Sequence, residues 1–300
     1  MTVQDQVSDW AFAVGWNAVR HMPAPVARTT FDLFADQAWL RHGPSVQQLE
    51  RNLRRVVPDA ADRELRELSR ASMRSYLRYW REAFRLPNLS NEEIVSTHVC
   101  VDEHLLAKAI DDGKGVVLAL PHMGNWDHAG AWLAIAHGGF TTVAERLKPE
   151  SLYERFLTYR RSLGMEVLPL TGGGAGPFRT LLERARTGHV ICLLADRDLT
   201  ENGIAVTFFG ETATMPAGPA ALAIASGAAL LPVTMWYEPG LSFTRIHAEV
   251  PVPATGTRAE KVAAMTQAVA DVFAEGIAEH PQDWHMLQRL WRADLAEDRR

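Results

Sequence analysis

The chain has 300 residues, 47% of them hydrophobic and 22% charged, with a formal net charge of -5. That length suffices for one large domain or two modest ones, and the composition excludes a disordered or fibrous protein. The negative charge argues against general nucleic-acid binding.

Taken in chain order, the opening MTVQDQVSDWAFAVGW has no positive n-region and no clear cleavage site, so it does not read as a signal peptide. WAFAVGWNAVRHM and PVARTTFDLFADQAWLRH space their apolar residues by three and four, which predicts two helices broken around Pro23 and Pro25. Pro44 and Ser45 open a further helix, SVQQLERNLRRV. Beyond Pro58 a long amphipathic helix runs until it stops before Pro87. This first stretch is the basic part of the chain: residues 1–90 hold thirteen arginines and no lysine against ten acids. Arg66, Arg70, Arg74, Arg78, Arg81 and Arg85 fall on one helical stripe, with Tyr79, Trp80 and Phe84 among them in sequence. Such a stripe reads either as a solvated face or as a contact for anionic lipid head groups or donor phosphates. Trp10, Phe12 and Trp16 in an amphipathic first helix add to the case for a peripheral membrane surface.

After residue 90 the period changes. Short β-rich runs alternate with helical segments: EEIVSTHVCV, a helix through HLLAKAI, GVVLAL, a helix from about Asn125 to Ala136, TTVAE and SLYERFLTYRRSL. EVLPL, a glycine loop, FRTLLERAR, HVICLLA and IAVTFF follow. The AALAIA helix, ALLPVTMW, SFTRIHAEV and a long helix from about Arg258 to Glu279 complete the series. This alternation predicts an α/β fold with a mostly parallel central sheet flanked by helices. One compact unit is expected, built from an N-terminal helical, membrane-facing subdomain (1–90) and an α/β core (91–300). The uncharged stretch from Thr212 to Tyr237 is long enough to span a bilayer, but Pro216, Pro219 and Pro232 interrupt it. A buried helix over about 217–226 and a buried strand over 229–236 fit it better.

Polar clusters follow three of the expected strands. GVVLAL runs into PHMGNWDHAG, where His122 precedes Asp127 by five residues. Sites in open α/β sheets form at the carboxyl ends of strands. Asn125 suits an N-cap, which puts Asp127 in the first turn of the next helix, where an acid already stabilises the helix dipole. Within a helix a five-residue gap would place the two on different faces, but across a strand–turn–helix junction the turn can fold His122 back over the helix start. The carboxylate would then hold the imidazole in one tautomer, as general-base catalysis requires. A metal reading that uses His122, Asp127 and His128 lacks convincing further ligands nearby to complete the set. HVICLLA leads to Asp196-Arg197-Asp198, and if it lies beside GVVLAL one of these acids reaches His122. Glu145-Arg146 follows TTVA by the same rule. The run TGGGAGP carries Pro177 at the sixth position of a would-be dinucleotide fingerprint and reads as a turn. There is no G-x-S-x-G elbow, no phosphate-binding G-x-x-x-x-G-K-[ST] loop and no H-E-x-x-H. Cys100 and Cys192 lie in apolar stretches without redox or metal spacing.

With H-x4-D at a strand end, the chain resembles the lysophospholipid-acyltransferase-type enzymes. GWNAVRHMPAPVARTTFDLFADQAWLRHGPSVQQLERNLRRV and HPQDWHMLQRLW resemble the bacterial lipid A biosynthesis (lauroyl/myristoyl) acyltransferase family, so the likeness spans nearly the whole chain. LPHMGNWDHAG, ERLKPESLYERFLTYRRSLG and LLADRDLT are most similar to its actinobacterial branch, which acylates phosphatidylinositol mannosides. The resemblance implies an acyltransferase that moves a fatty acyl group from acyl-CoA, or an acyl carrier protein, to a mannose hydroxyl of a mannosylated phosphatidylinositol. It implies work at the cytoplasmic face of the plasma membrane as a peripheral protein, with no cofactor beyond the donor. His122 is the expected base, with Asp127 or Asp196 as its acid partner. The branch leads one to expect Glu where Asp196 stands, one methylene shorter. Glu145, Arg160 and Arg197 match the family's polar positions and are the expected acceptor-binding residues. Another glycolipid acceptor, or a lipid-binding protein without catalysis, is the alternative.

Overall fold

A computed structural model describes residues 18–144, 150–169, 176–198 and 203–296. The expected first helix around Trp10 to Trp16, Glu145, and residues 171–175 of the glycine run lie outside the described residues.

Three helices lead: α1 (Ala24–Arg41), α2 (Pro44–Val56) and α3 (Asp62–Arg85). They enclose a small core of Ala35, Val46, Leu49, Leu53 and Met73. Much of the arginine stripe is used inside this layer. Arg70 and Arg74 both close on Asp36 of α1 at 2.5 Å, Arg66 pairs with Glu50 of α2, and Arg85 donates to the backbone of Val19 and Met22. Arg78 bonds Glu82 at 2.7 Å and lies over the Tyr237 ring. The stripe thus fastens α1 and α2 to α3 and α3 to the sheet, a third role beside the two that spacing alone suggested.

The segment expected as the strand EEIVSTHVCV starts as a helix, α4 (Asn91–Ser96), and only then becomes β1 (His98–Val101). A capping box decides it. Ser90 Oγ accepts from the Glu93 N–H at 3.2 Å while the Glu93 carboxylate accepts from the Ser90 N–H at 2.8 Å. The chain continues through α5 (Glu103–Asp111), β2 (Val116–Leu120), α6 (Trp126–His137), β3 (Phe140–Ala144), α7 (Glu150–Ser162) and β4 (Met165–Pro169). Then come α8 (Phe178–Arg186), β5 (Val190–Leu194), β6 (Ile204–Phe208) and β7 (Glu211–Met215). α9 (Gly218–Ser226), β8 (Ala229–Glu238), β9 (Leu241–Ile246), α10 (Arg258–Glu279) and α11 (Arg292–Ala296) finish the described chain. The uncharged stretch after Thr212 is therefore most of β7, then α9 and β8. Among the described residues no helix is long and apolar enough to cross a membrane.

Seven strands form the sheet in the order β1-β9-β8-β2-β5-β3-β4, parallel except where β8 meets β9. All five residues of β2 are buried, as expected for a central parallel strand covered on both faces. Its side chains alternate: Val117 and Ala119 join the core under α9 and α10, while Val116, Leu118 and Leu120 join the core under α5 and α6. β6 and β7 form a separate hairpin turned at Phe209 and Gly210, both at positive φ. That pair of angles suits a tight two-residue turn, and the bulky Phe209 gave no sign of it in the sequence.

Beyond α10 a strap, Asp283–His285, returns beneath the end of β2. The His285 N–H donates to the His122 carbonyl at 2.7 Å, and the Gly124 N–H donates to the Asp283 carbonyl at 2.9 Å. Gly124 has φ +59°, and a Cβ there would stand 2.8 Å from Met235 Cβ, so the turn needs glycine twice over. The strap is also tied to the first helices. Ser75 donates to Asp283 at 2.6 Å, and the Asn52 amide donates to the Met286 and Gln288 carbonyls at 2.7 and 2.9 Å.

Two histidines are buried neutral by this packing. His98 stacks on Trp132 with centroids 5.0 Å apart, and His285 lies inside the strap. Burial first, and then the neighbouring His128 for His98 or His122 for His285, pushes each imidazole down to about 3. An unfolded chain binds protons at these positions below about pH 6.5 while the native one does not, so stability falls as pH drops from 6.5 toward 3. Each contributes a slope of about 1.4 kcal/mol per pH unit within that window. Urea denaturation at pH 7 and pH 5 should show this loss, and His98→Phe should remove one such increment from the slope.

Candidate active site

β2 and β5 are neighbours in register, with Leu120 opposite Leu194, and the Ala195 N–H continues the ladder to the Leu120 carbonyl at 2.7 Å. Two residues further along each strand, the same register sets His122 beside Asp196. The contact is close: His122 Nδ1 lies 2.6 Å from Asp196 Oδ1, and the His122 backbone N–H donates to Oδ2 at 2.9 Å. Asp196 is 0% exposed. Burial alone would raise its carboxyl, but the His122 charge and hydrogen bond, with the Trp284 indole N–H at 3.0 Å, bring it below the ordinary carboxylate value. An ionised carboxylate only accepts hydrogen bonds, so Nδ1 carries a proton, and in the neutral imidazole the lone pair is then on Nε2.

Asp127 has other partners. It opens α6, whose N-cap Asn125 accepts from the His128 N–H at 3.0 Å. Its Oδ2 accepts from the Tyr79 hydroxyl at 2.8 Å and its Oδ1 from Arg160 Nε at 3.0 Å. Asp127 is 1% exposed, so this is a buried ion pair joining α3, α6 and α7. Burial works against the Arg160 cation, but the Asp127 charge outweighs it and holds the guanidinium above its usual value. Burial, followed by the same Asp127 charge, pushes the Tyr79 hydroxyl well up. The H-x4-D spacing therefore serves two different structures: a histidine–aspartate pair made by His122 with Asp196, and a structural tie made by Asp127. His128 points elsewhere, its Nε2 3.2 Å from the Ile94 carbonyl.

His122 opens onto a cavity of about 580 Å³ between the ends of β2, β3 and β5 and the starts of α8 and α9. Leu157, Phe178, Leu181 and Leu194 supply apolar wall, while Arg160, Arg197 and Asp198 line its polar side. Behind Trp126, Val143, Arg160 and Leu194 lies a smaller void of about 70 Å³ between the sheet and α6. A larger groove, about 1050 Å³, runs along α6, α7 and the Leu86–Asn88 turn, but it holds neither His122 nor Asp196. The cavity with the histidine is therefore the candidate active site. Of the residues expected at the site, His122, Arg160 and Arg197 line that cavity, Asp196 stands behind His122, and Asp127 behind Arg160. Sequence reasoning missed Trp284 as a donor to Asp196 and Tyr79 as a donor to Asp127. Both were visible as residue types, but the contacts span 88 and 48 positions.

A sequence model of the bacterial lipid A biosynthesis acyltransferases matches residues 2–293. The chain is 52% identical over 295 residues to a phosphatidylinositol mannoside acyltransferase of Mycolicibacterium smegmatis, covering 98% of this chain and 95% of the relative. It is also 52% identical over 305 residues to a phosphatidylinositol mannoside acyltransferase of Mycobacterium tuberculosis (strain CDC 1551 / Oshkosh), covering 100% and 93%.

The Asp127–Arg160 pair predicts a loss that is thermodynamic first. Asp127→Asn leaves a buried cation without its counter-charge and should cost about 3–5 kcal/mol in chemical denaturation. Combining it with Arg160→Met should recover most of that loss, because the unpaired charge goes too.

Proposed function

The chain belongs to the bacterial lipid A biosynthesis acyltransferase family and is an acyltransferase; from that premise we propose that it moves a palmitoyl-like fatty acyl group from acyl-CoA to a mannose hydroxyl of a phosphatidylinositol mannoside. The observation that carries the mechanism is the 2.6 Å contact between His122 Nδ1 and a fully buried, ionised Asp196 at the wall of an apolar cavity. The two relatives' names supply the acceptor class.

The chemistry follows from the tautomer. With Nδ1–H fixed on Asp196, the Nε2 lone pair takes the proton of the mannose hydroxyl as its oxygen attacks the thioester carbonyl. Asp196 stabilises the imidazolium that results, in the manner of the acid in a hydrolase triad. The tetrahedral oxyanion collapses, the carbon–sulfur bond breaks, and the imidazolium returns its proton to the departing thiolate. Ester and free CoA are the products, and no acyl-enzyme forms. Aspartate at position 196 reaches the ring because the β2–β5 register brings the backbones together; the shorter side chain is no obstacle.

Substrate contacts are assigned by place. The apolar wall of the cavity suits the acyl chain, and its volume lies within the range of about 300–1,000 Å³ usual for small-molecule sites. Arg160 and Arg197 on the polar side suit the acceptor. The outer face of α1 leaves Val26, Leu33, Phe34 and Leu40 between 51% and 69% exposed. Exposed apolar side chains along one face of a helix suit a peripheral seat at a lipid surface, which we place at the cytoplasmic face of the plasma membrane.

Purified protein given palmitoyl-CoA and a mannosylated phosphatidylinositol should release free CoA and acylated glycolipid in equal amounts, scored by mass spectrometry. His122→Ala should lower kcat about 10²–10⁴-fold in a folded protein. Asp196→Asn, which keeps the shape and loses the charge, should fall by up to about 10⁴-fold. Unimpaired turnover in His122→Ala would remove the proposed base. Free fatty acid without acceptor dependence would make the protein a thioesterase, and vesicle binding without turnover a lipid-binding protein.

A further inference from the structure

Trp284 is fully buried, and its one polar atom is the indole N–H. That N–H is spent on Asp196 Oδ2, the oxygen that already accepts from the His122 backbone. Among the described residues, Oδ1 receives only the imidazole. A carboxylate can turn about its last bond and offer either oxygen, and two donors on Oδ2 remove that freedom. The strap carrying Trp284 also holds the histidine side of the pair, through the Met123–Trp284 bridge and the His285 N–H on the His122 carbonyl. The indole itself is wedged edge-on against Phe208 and Trp291, at 6.0 and 6.1 Å between ring centroids. One residue thus touches the carboxylate directly and the histidine's turn through its backbone.

We propose that Trp284 is a positioning residue for acyl transfer: its indole N–H orients the Asp196 carboxylate so that Oδ1 holds His122 with Nε2 bare toward the cavity. The inference rests on the reading of His122 as the base. A charge-assisted hydrogen bond of this kind acts on how well the base is held, not on how well substrates bind. Removing it should therefore lower kcat and spare KM.

Trp291 provides the control. It is equally buried, stacks in the same aromatic cluster and donates its own N–H to the Phe208 carbonyl at 3.0 Å, away from Asp196. Trp284→Phe and Trp291→Phe each remove one indole N–H and part of one ring from the same cluster. With palmitoyl-CoA and a phosphatidylinositol mannoside, Trp284→Phe should lose kcat on the order of tenfold with KM for both substrates within about twofold. The downfield proton resonance of His122 Nδ1–H should shift or vanish with it. Trp291→Phe should lower the thermal midpoint and leave kcat and the resonance in place. Wild-type kcat in Trp284→Phe overturns the inference, and so does an equal loss of kcat in both variants, which would mean packing alone. Should Trp284→Phe fail to fold, a benzothienylalanine at 284, with sulfur in place of N–H in the same ring outline, carries the same two outcomes. His122→Ala, assayed alongside, separates the premises. An active His122→Ala removes the base itself, whereas an inactive one beside a fully active Trp284→Phe removes only the role of Trp284.

Discussion

A carboxylate with no exposed surface is an expensive thing to fold around, and the arrangement of this protein turns on how Asp196 is compensated. Isolated, such a group would take up a proton and lose its charge. Here it faces an imidazole, a backbone N–H and an indole N–H, contributed by β2's end and the strap. The parallel pairing of β2 and β5 is what makes the first two contacts available, and the strap adds the third. Sheet register, turn shape and the return of the chain after α10 therefore all meet at one functional group.

The same economy separates the two acids near the histidine. Asp127 is as deeply buried as Asp196, yet its compensation comes from Arg160 and Tyr79 on helices that cover the sheet. One carboxylate hydrogen-bonds an imidazole, while the other ties the start of α6, on which the turn is mounted, to α3 and α7. Only one of them touches the histidine. Gly124 completes the turn, since any side chain there would meet the backbone and Cβ of Met235.

Much of this was legible in the residues. Periodicity placed α6, α9, α10 and the strands β2, β5 and β8 close to where they lie, because each has an unbroken apolar face and a clear stop. The end-of-strand rule found His122 and Asp196, and their meeting needed only the neighbour relation of β2 and β5. What failed was local chemistry overriding pattern: Ser90 and Glu93 cap a helix where Ile94 and Val95 suggest a strand. The hairpin at Phe209 carries no turn residue before Gly210, so β7 was invisible. The arginine stripe was read from spacing, but its partners Asp36 and Glu50 lie on other helices, and no one-dimensional pattern pairs them. Trp284 was beyond reach for the same reason, since its donor role exists only once two distant segments are folded together.

The strap also has a consequence for the order in which the protein is made. His122, Gly124, Asp127 and Asp196 all emerge from the ribosome well before Asp283, Trp284 and His285 do. Contacts of such sequence separation form late, after loop closure over most of the domain. Until the strap is made, the Asp196 carboxylate lacks the indole and the His122 turn lacks its backbone partners. A half-made chain would hold His122 and Asp196 without the indole and the backbone partners around them, so the strap is the last part of that pair's surroundings to be synthesised.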